Sequence, residues 1–281
     1  VATPLPCPAL SGSPSAAGPA GVVDKATAPA HVGQGEQDSL FPLGQADANA
    51  RSLAAAGTPV KMIWRAGGHD GTTSTTDLVS SLEGWFDPVL LHRGALDTSF
   101  DVNVPGAGIS TETGRIVSQA LRATGATTSR RTAPVNVAGQ PQTIYAPAGG
   151  SPAAITSFPG LGGILSTAAP LTGSAGLGAI PGQVAHFASA PLPMGVLIAG
   201  ASTVVVQVTA GEAQDATLFA SLHDVGPDGA DKLPEGLVAP IKLTGLTPGV
   251  ARDVTVTLPG VVAEVAAGHR IVLDLATTDM A

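Results

Sequence analysis

The sequence is poor in the residues that build several large classes of protein. A single cysteine, Cys7, among 281 residues excludes an internal disulfide framework and metal sites made of cysteine pairs. Charged residues make up only 12%, and the formal net charge is −8 at pH 7. This balance argues against nucleic acid or an anionic membrane as the main partner, because both attract basic surfaces. No apolar run approaches the length of about 20 residues that a membrane-spanning helix needs.

Glycine and proline are abundant instead. The 36 glycines and 24 prolines indicate long irregular stretches, while a hydrophobic content of 44% is enough for packed cores. No charged and then apolar leader follows Val1, so the sequence indicates no localisation. The strand pattern at 270–276 stops close to the last residue. We therefore expect both termini to be breaks in a longer protein.

Strand and helix patterns alternate in the first third of the chain. Four segments carry them: strands at 29–35 and 60–65, and helices at 43–56 and 77–91. Gly57 is a favourable end for the first helix, and Pro88 is expected to kink or end the second. This alternation is typical of a parallel α/β sheet. Two such units cannot form a stable sheet alone, so we expect the remaining strands upstream.

From residue 99 onward the pattern changes to short strands between turn residues. The clearest are 194–198, 203–209, 216–224, 237–244, 252–258 and 270–276. Residues 203–209 alternate apolar and polar side chains, which suits an antiparallel strand with one buried face. Many short strands at such spacing predict a β-sandwich or jelly roll. The sequence thus divides into an α/β domain, residues 1–98, and a jelly-roll domain, residues 99–281, with an irregular stretch at 105–182.

Two motifs follow the predicted strands of the first domain. The first is Gly35-Glu36-Gln37-Asp38-Ser39-Leu40-Phe41, and the second is Gly67-Gly68-His69-Asp70-Gly71. An acid and then a histidine on a glycine-rich loop are the last two members of an α/β-hydrolase Ser–Asp–His triad. We expect Asp38 to orient His69, and His69 to act as the base. No G-x-S-x-G turn occurs in the sequence, so we expect the serine on an upstream segment.

Each residue of the pair has a simpler interpretation when taken alone. Asp38 can be a turn former or a helix cap, and the glycine-rich motif can be an ordinary turn with a solvated histidine. A metal site from Asp38, His69 and Asp70 lacks a further histidine at ligand spacing. Together, in this order and spacing, Asp38 and His69 favour catalysis. Structural roles are expected for three other histidines, His31, His223 and His269.

The order of these motifs resembles the X-prolyl dipeptidyl-peptidase and cocaine-esterase-like hydrolases. The resemblance rests on the two motifs, on Trp85-Phe86-Asp87, and on the β-rich segments 203–209, 219–229 and 268–270. It implies an α/β-hydrolase fold with a Ser-His-Asp triad beside a non-catalytic, galactose-binding-like jelly roll. It also implies small acyl substrates (X-Pro peptides, esters or amides) and no cofactor or metal. Only Asp38 and His69 match the triad of that family.

Two functional hypotheses remain open from the sequence. The first is a serine peptidase or esterase, in which case the 281-residue chain alone is expected to be inactive because it lacks the nucleophile. The alternative is a non-catalytic jelly-roll binding module attached to a degenerate hydrolase remnant. An aromatic content of only 3% provides few rings for stacking on sugars, which disfavours this alternative.

Overall fold

A computed structural model describes residues 25–38, 40–69, 75–109, 116–126, 134–146 and 182–279. Within them the chain forms a mixed sheet with two helices, followed by a β-sandwich. The expected combination of an α/β sheet and a β-sandwich is therefore confirmed. Residues 1–24, and Asp70 of the second motif, lie outside the described residues.

The mixed sheet has four strands in the order β1–β2–β3–β4. The strands are β1 Ala30–Gly35, β2 Val60–Arg65, β3 Ser99–Ile109 and β4 Ile116–Ala126. β1, β2 and β3 are parallel neighbours, and β4 is antiparallel to β3. The helix α1, Leu43–Ala55, connects β1 to β2, and α2, Thr75–Leu91, connects β2 to β3. The first two predicted strands and both predicted helices are confirmed, with ends within two residues.

The core of this sheet lies against α1. Buried side chains recur on one helix face at intervals of three or four residues: Leu43, Ala46, Ala50 and Leu53. The helix ends before Gly57, whose left-handed φ of 84° needs no distortion in glycine. Trp64 of β2 and Phe100 of β3 pack edge to face below it, with ring centroids 4.7 Å apart.

The second helix lies against the opposite side of β1. His31 Nε2 is 3.0 Å from Ser81 Oγ, and the His31 ring meets the edge of the buried Trp85. These contacts support the structural role expected for His31. Pro88 lies inside α2, so it does not end the helix, and the kink expected as the other alternative stays a prediction. Neither of the two described helices is long and apolar enough to cross a membrane.

β3 and β4 extend the first sheet beyond the expected division of the chain. β3 begins at Ser99, where we expected the second domain to begin, yet it pairs in parallel with β2. β4 lies inside the stretch 105–182 that we expected to be irregular, and that expectation is wrong for residues 116–126. Pairing with β3 offsets the weak strand propensity of its glycine and alanines. The division at residues 98 and 99 stays a prediction, and the pairing favours a later boundary.

The β-sandwich consists of a broad antiparallel sheet and a two-stranded ribbon. The broad sheet contains β5 Val137–Ala138, β6 Val184–Ser189, β8 Ala216–Val225, β9 Asp231–Lys232, β10 Ala239–Leu243 and β12 Arg270–Ala276. The ribbon pairs β7, Val196–Thr209, with β11, Ala251–Val265. Small and branched side chains fill the space between the layers: Ala185, Ala220, Ala239, Val256, Leu258, Leu273 and Leu275.

The ribbon of β7 and β11 joins the two cores. Val256 packs in the sandwich, whereas Val262, six residues along the same strand, packs in the core of the mixed sheet. A β-bulge between Thr257 and Gly260 lies between these two halves, and bulges bend a strand locally. β7 continues through Gly200 and joins the strands 194–198 and 203–209 that we expected to be separate, so that expectation is wrong. Its pairing with β11 keeps the strand continuous, and glycine tolerates the φ of 147° there.

Candidate catalytic site

The two motifs form adjacent loops at the carboxyl ends of β1 and β2. The parallel pairing of the strands continues into the loops, because Glu36 N–H donates to Arg65 O at 2.8 Å. Gln37 N–H donates to Gly67 O at 2.9 Å, and Gly67 N–H donates back to Oε1 of Gln37. Sites in open α/β sheets form at this edge. The expected placement of both motifs at one sheet edge is therefore observed.

Glycines allow the two loops to approach this closely. A Cβ added at Gly35 would lie 2.3 Å from Gly67 O, and one added at Gly68 would lie 2.2 Å from Gln37 O. Gly68 also has a φ of 141°, which side-chain-bearing residues rarely adopt. Glycine is thus required at Gly68, before the histidine, and at Gly35, before the aspartate, by the contact between the two loops.

We expect Gly68→Ala to destabilise the protein by about 3 kcal/mol, since the backbone must move to relieve the overlap. Gly44→Ala in α1 is a matched control, because its added Cβ meets no atom within 4 Å. The control should stabilise the fold by up to about 1 kcal/mol through helix propensity. Urea unfolding of both variants measures the difference. Equal stabilities of the two variants would contradict the close approach of the loops.

Asp38 and His69 meet across these loops. His69 Nδ1 lies 2.9 Å from Oδ2 of Asp38, and the ring of Phe41 tilts over the imidazole at 5.6 Å. Asp38 is 7% exposed, whereas the His69 side chain is 53% exposed. The structure thus brings together the two residues that the sequence singled out. Nε2 of His69 has no hydrogen-bond partner among the described residues.

The surroundings of Asp38 keep its carboxylate ionised. Burial alone would raise the pKa, but hydrogen bonds from Phe41 N–H and from His69 outweigh it, so the pKa lies below its usual 3.8. Gln34 Nε2 also donates to Oδ2 at 3.2 Å. Because an ionised carboxylate only accepts hydrogen bonds, Nδ1 of His69 is the donor. Nε2 is then the nitrogen that can accept a proton in neutral histidine.

A depression of about 310 Å³ opens beside the pair. Seven residues line it: Gly33, Gln34, Gly35, Asp38, Arg65, Gly68 and His69. Gly33 contributes no side chain, which leaves space over β1, whereas the place of a side chain at Gly35 is occupied by the Gly67 carbonyl. The arrangement therefore offers an oriented base at the rim of a space large enough for a small molecule.

The metal interpretation gains no support from the described residues, where no three ligating side chains are placed to hold an ion. Sequence reasoning did miss polar residues around the pair, namely Gln34, Glu36 and Gln37. Gln34 donates a hydrogen bond to Asp38, and Gln37 accepts one from the N–H of Gly67. Glu36, between them in the chain, is buried. Their only sequence signal is their closeness to Asp38 in the chain.

A serine, a histidine and an aspartate also meet on the face of β8 that points away from the sandwich core. Ser221 Oγ is 2.9 Å from His223 Nε2, and His223 Nδ1 is 2.8 Å from Oδ1 of Asp231. Burial lowers the pKa of His223, but Asp231 and then Asp274 outweigh it and raise the pKa. The imidazole therefore keeps its proton to higher pH, and Ser221 is only 6% exposed. Both facts support the structural role expected for His223.

We expect this ion pair to make stability depend on pH. Because the folded pKa of His223 is raised, its contribution is fully present below pH 6.5 and is lost as pH rises through the folded pKa. In Asp231→Asn, the pH-dependent part of the free energy of unfolding should be smaller by on the order of 1 kcal/mol. Urea unfolding between pH 5.5 and 8.5 measures it, with Asp253→Asn on β11 as control. Parallel curves for wild type and Asp231→Asn would disprove the pairing.

The fold and site together define part of an α/β-hydrolase-type sheet, with an acid–histidine pair, followed by a β-sandwich. Residues 179–281 match the family model described as the X-Pro dipeptidyl-peptidase C-terminal non-catalytic domain. No curated protein sequence matches the chain. The match confirms the predicted resemblance of the β-rich module to that family.

Solved structures of hydrolases share the fold. An α-amino acid ester hydrolase matches with a TM-score of 0.61 and 15% identity, over 93% of this chain and 50% of its own. An aminopeptidase from a marine sediment archaeon, Thaumarchaeota archaeon, matches with a TM-score of 0.57 and 16% identity, over 91% of this chain and 48% of its own. A CocE/NonD family hydrolase from Staphylococcus aureus matches with a TM-score of 0.54 and 8% identity, over 92% and 48%.

The chain therefore spans about half the length of these structures. With the family match, they confirm that the chain resembles X-prolyl dipeptidyl-peptidases and CocE-like hydrolases.

Proposed function

We propose that the chain contributes the acid and the base of a Ser-His-Asp hydrolase whose serine lies on a segment outside this sequence. The observation that carries the proposal is the hydrogen bond from His69 Nδ1 to the buried, ionised Asp38. It leaves Nε2 available on an exposed ring at the carboxyl edge of parallel strands. That is the arrangement in which a histidine serves as general base for a neighbouring hydroxyl.

The chemistry of the pair is that of acyl transfer. Nε2 of His69 takes the serine proton as the serine oxygen bonds to the acyl carbon, and Asp38 stabilises the imidazolium that forms. The imidazolium then returns the proton to the leaving alcohol or amine, and water hydrolyses the acyl-enzyme by the reverse sequence. Small X-Pro peptides, esters and amides are the proposed substrates, in keeping with the peptidase and ester hydrolase that share the fold.

A degenerate remnant that only binds ligands fits the site less well. The exposed imidazole of His69 borders a depression of about 310 Å³, whereas Ser221 beside the structural His223 is only 6% exposed. The close glycine contacts that hold the two loops together are also intact. We therefore prefer the catalytic role over the binding-module alternative.

The natural coding region upstream of Val1 tests the proposal. A G-x-S-x-G turn after an apolar strand is expected there, and the extended protein should hydrolyse p-nitrophenyl esters or X-Pro p-nitroanilides. A fluorophosphonate probe should label that serine, while the 281-residue chain alone should show no turnover. An extended protein that folds, lacks the turn and hydrolyses neither substrate would overturn the proposal.

A further inference from the structure

Gln37 joins the histidine loop to a turn of the β-sandwich. Its Oε1 accepts the N–H of Gly67, and this fixes the orientation of the side-chain amide, since the reverse would set two donors against each other. Nε2 is then directed to Oε1 of Glu235, 3.5 Å away. Glu235 follows Gln37 by 198 positions in the chain, so the contact connects the two modules.

Glu235 occupies an unfavourable backbone position. It is the middle residue of the 3₁₀ turn Pro234–Gly236, and its φ of 54° is left-handed. Glycine would adopt this conformation without strain, as Gly236 does beside it with a φ of 64°. The turn packs against β8 and β11 of the sandwich. A strained residue held by a packed turn is an outlier that points to a role for its side chain.

Glu36, the neighbour of Gln37 in the chain, also lies close to Glu235. Glu36 is 2% exposed, and burial together with the nearby charge of Glu235 raises its pKa to about 8. Two residues of the first motif thus interact with the carboxylate of Glu235: Gln37 through a hydrogen bond and Glu36 through charge repulsion. The sandwich turn therefore lies directly against the loop that carries Asp38.

We propose that Glu235 is a positioning residue for His69, acting through Gln37 and Gly67. The carboxylate holds the Gln37 side chain, which holds the backbone of the histidine loop, so that the sandwich contributes to the orientation of the imidazole. Its catalytic consequence rests on the proposed function, but the contact exists in the 281-residue chain whatever the reaction. A domain of the kind described as non-catalytic would then set the geometry of the base.

The exchange of the His69 Nδ1 proton with water, measured by NMR on the ¹⁵N-labelled 281-residue chain, tests the contact. Glu235→Ala should speed exchange about 10-fold, since the loss of one hydrogen bond is worth about a factor of ten. Glu235→Gln keeps an acceptor oxygen and should restore slow exchange. Glu212→Ala, at an exposed glutamate between β7 and β8, is the control and should match wild type.

A fourth variant separates positioning from a general loss of stability. Glu235→Gly removes the carboxylate while relieving the left-handed strain, so it should unfold no more easily than wild type yet exchange as fast as Glu235→Ala. Slow exchange in Glu235→Gly would overturn the proposal, and so would equally fast exchange in Glu235→Gln. In the extended enzyme, Glu235→Ala should lower kcat and leave KM unchanged. Failure to find any hydrolysis would refute the proposed function and leave the NMR test of positioning intact.

Discussion

Replacing His69 by alanine in the extended enzyme should lower kcat by at least about 10³-fold, because the serine then loses its base. Asp38→Asn should cost a similar factor, since an amide no longer holds the imidazole with its proton on Nδ1. The double variant should be little worse than either single one, because the two residues act as a unit. Initial rates on an ester substrate measure all three.

The fold should survive these changes. His69 is half exposed, so its loss leaves no large cavity, and near-UV circular dichroism should match wild type. His92→Asn, at the exposed end of α2, is the control, because asparagine tolerates the φ of 54° found there. It should retain full activity. A His69→Ala enzyme that keeps more than about a tenth of the rate would remove His69 from the mechanism.

The candidate site was predictable because it leaves a short local signature. Asp38 comes three residues after a strand, and His69 comes four residues after the next, flanked by glycines. The structure explains those glycines by loop contact: Gly35 approaches Gly67, and Gly68 approaches Gln37. The parallel pairing of β1 and β2 then follows from the strand–helix–strand rhythm. The local sequence pattern and the tertiary geometry agree here, so the sequence was sufficient to predict that Asp38 and His69 lie together.

Elements that depend on distant pairing were not predictable in the same way. β4 contains glycine and alanines of low strand propensity, and its strand conformation depends on β3. β7 passes through Gly200 because β11 pairs with it on both sides of that residue. The strand β6, Val184–Ser189, was missed for the same reason, since its partners β12 and β5 lie far away in the sequence. Local sequence patterns do not indicate which distant strands will pair.

The buried environment of Glu36 was also not predictable from the sequence. A glutamate beside Gly35 in a loop is expected at the surface, yet Glu36 is 2% exposed and lies near the charge of Glu235. The two glutamates are distant in the chain, and no motif connects them. The burial of Glu36 leads to the second large prediction, which concerns stability rather than catalysis.

Glu36→Gln should stabilise the protein strongly at alkaline pH and leave it unchanged below about pH 4.5. Burial, and then the charge of Glu235, raise the pKa of Glu36 from 4.5 to about 8, so the folded state holds a proton that the unfolded state releases. The free energy of unfolding of the wild type should therefore fall as pH rises from 4.5 to 8. At 1.36 kcal/mol per pKa unit, the loss is at most about 5 kcal/mol.

Guanidinium unfolding at pH 4.5, 6, 7.5 and 9 measures this dependence. The wild type should lose stability across the series, whereas the Glu36→Gln variant should keep only the smaller loss expected from His223, because a neutral amide has no proton to release. Glu83→Gln, at an exposed position of α2, should follow the wild type at every pH. A Glu36→Gln curve parallel to that of the wild type would show that the carboxyl group is solvated. Agreement would mean that Glu36 is buried in its neutral form near Glu235, and that ionisation of Glu36 at alkaline pH destabilises the fold.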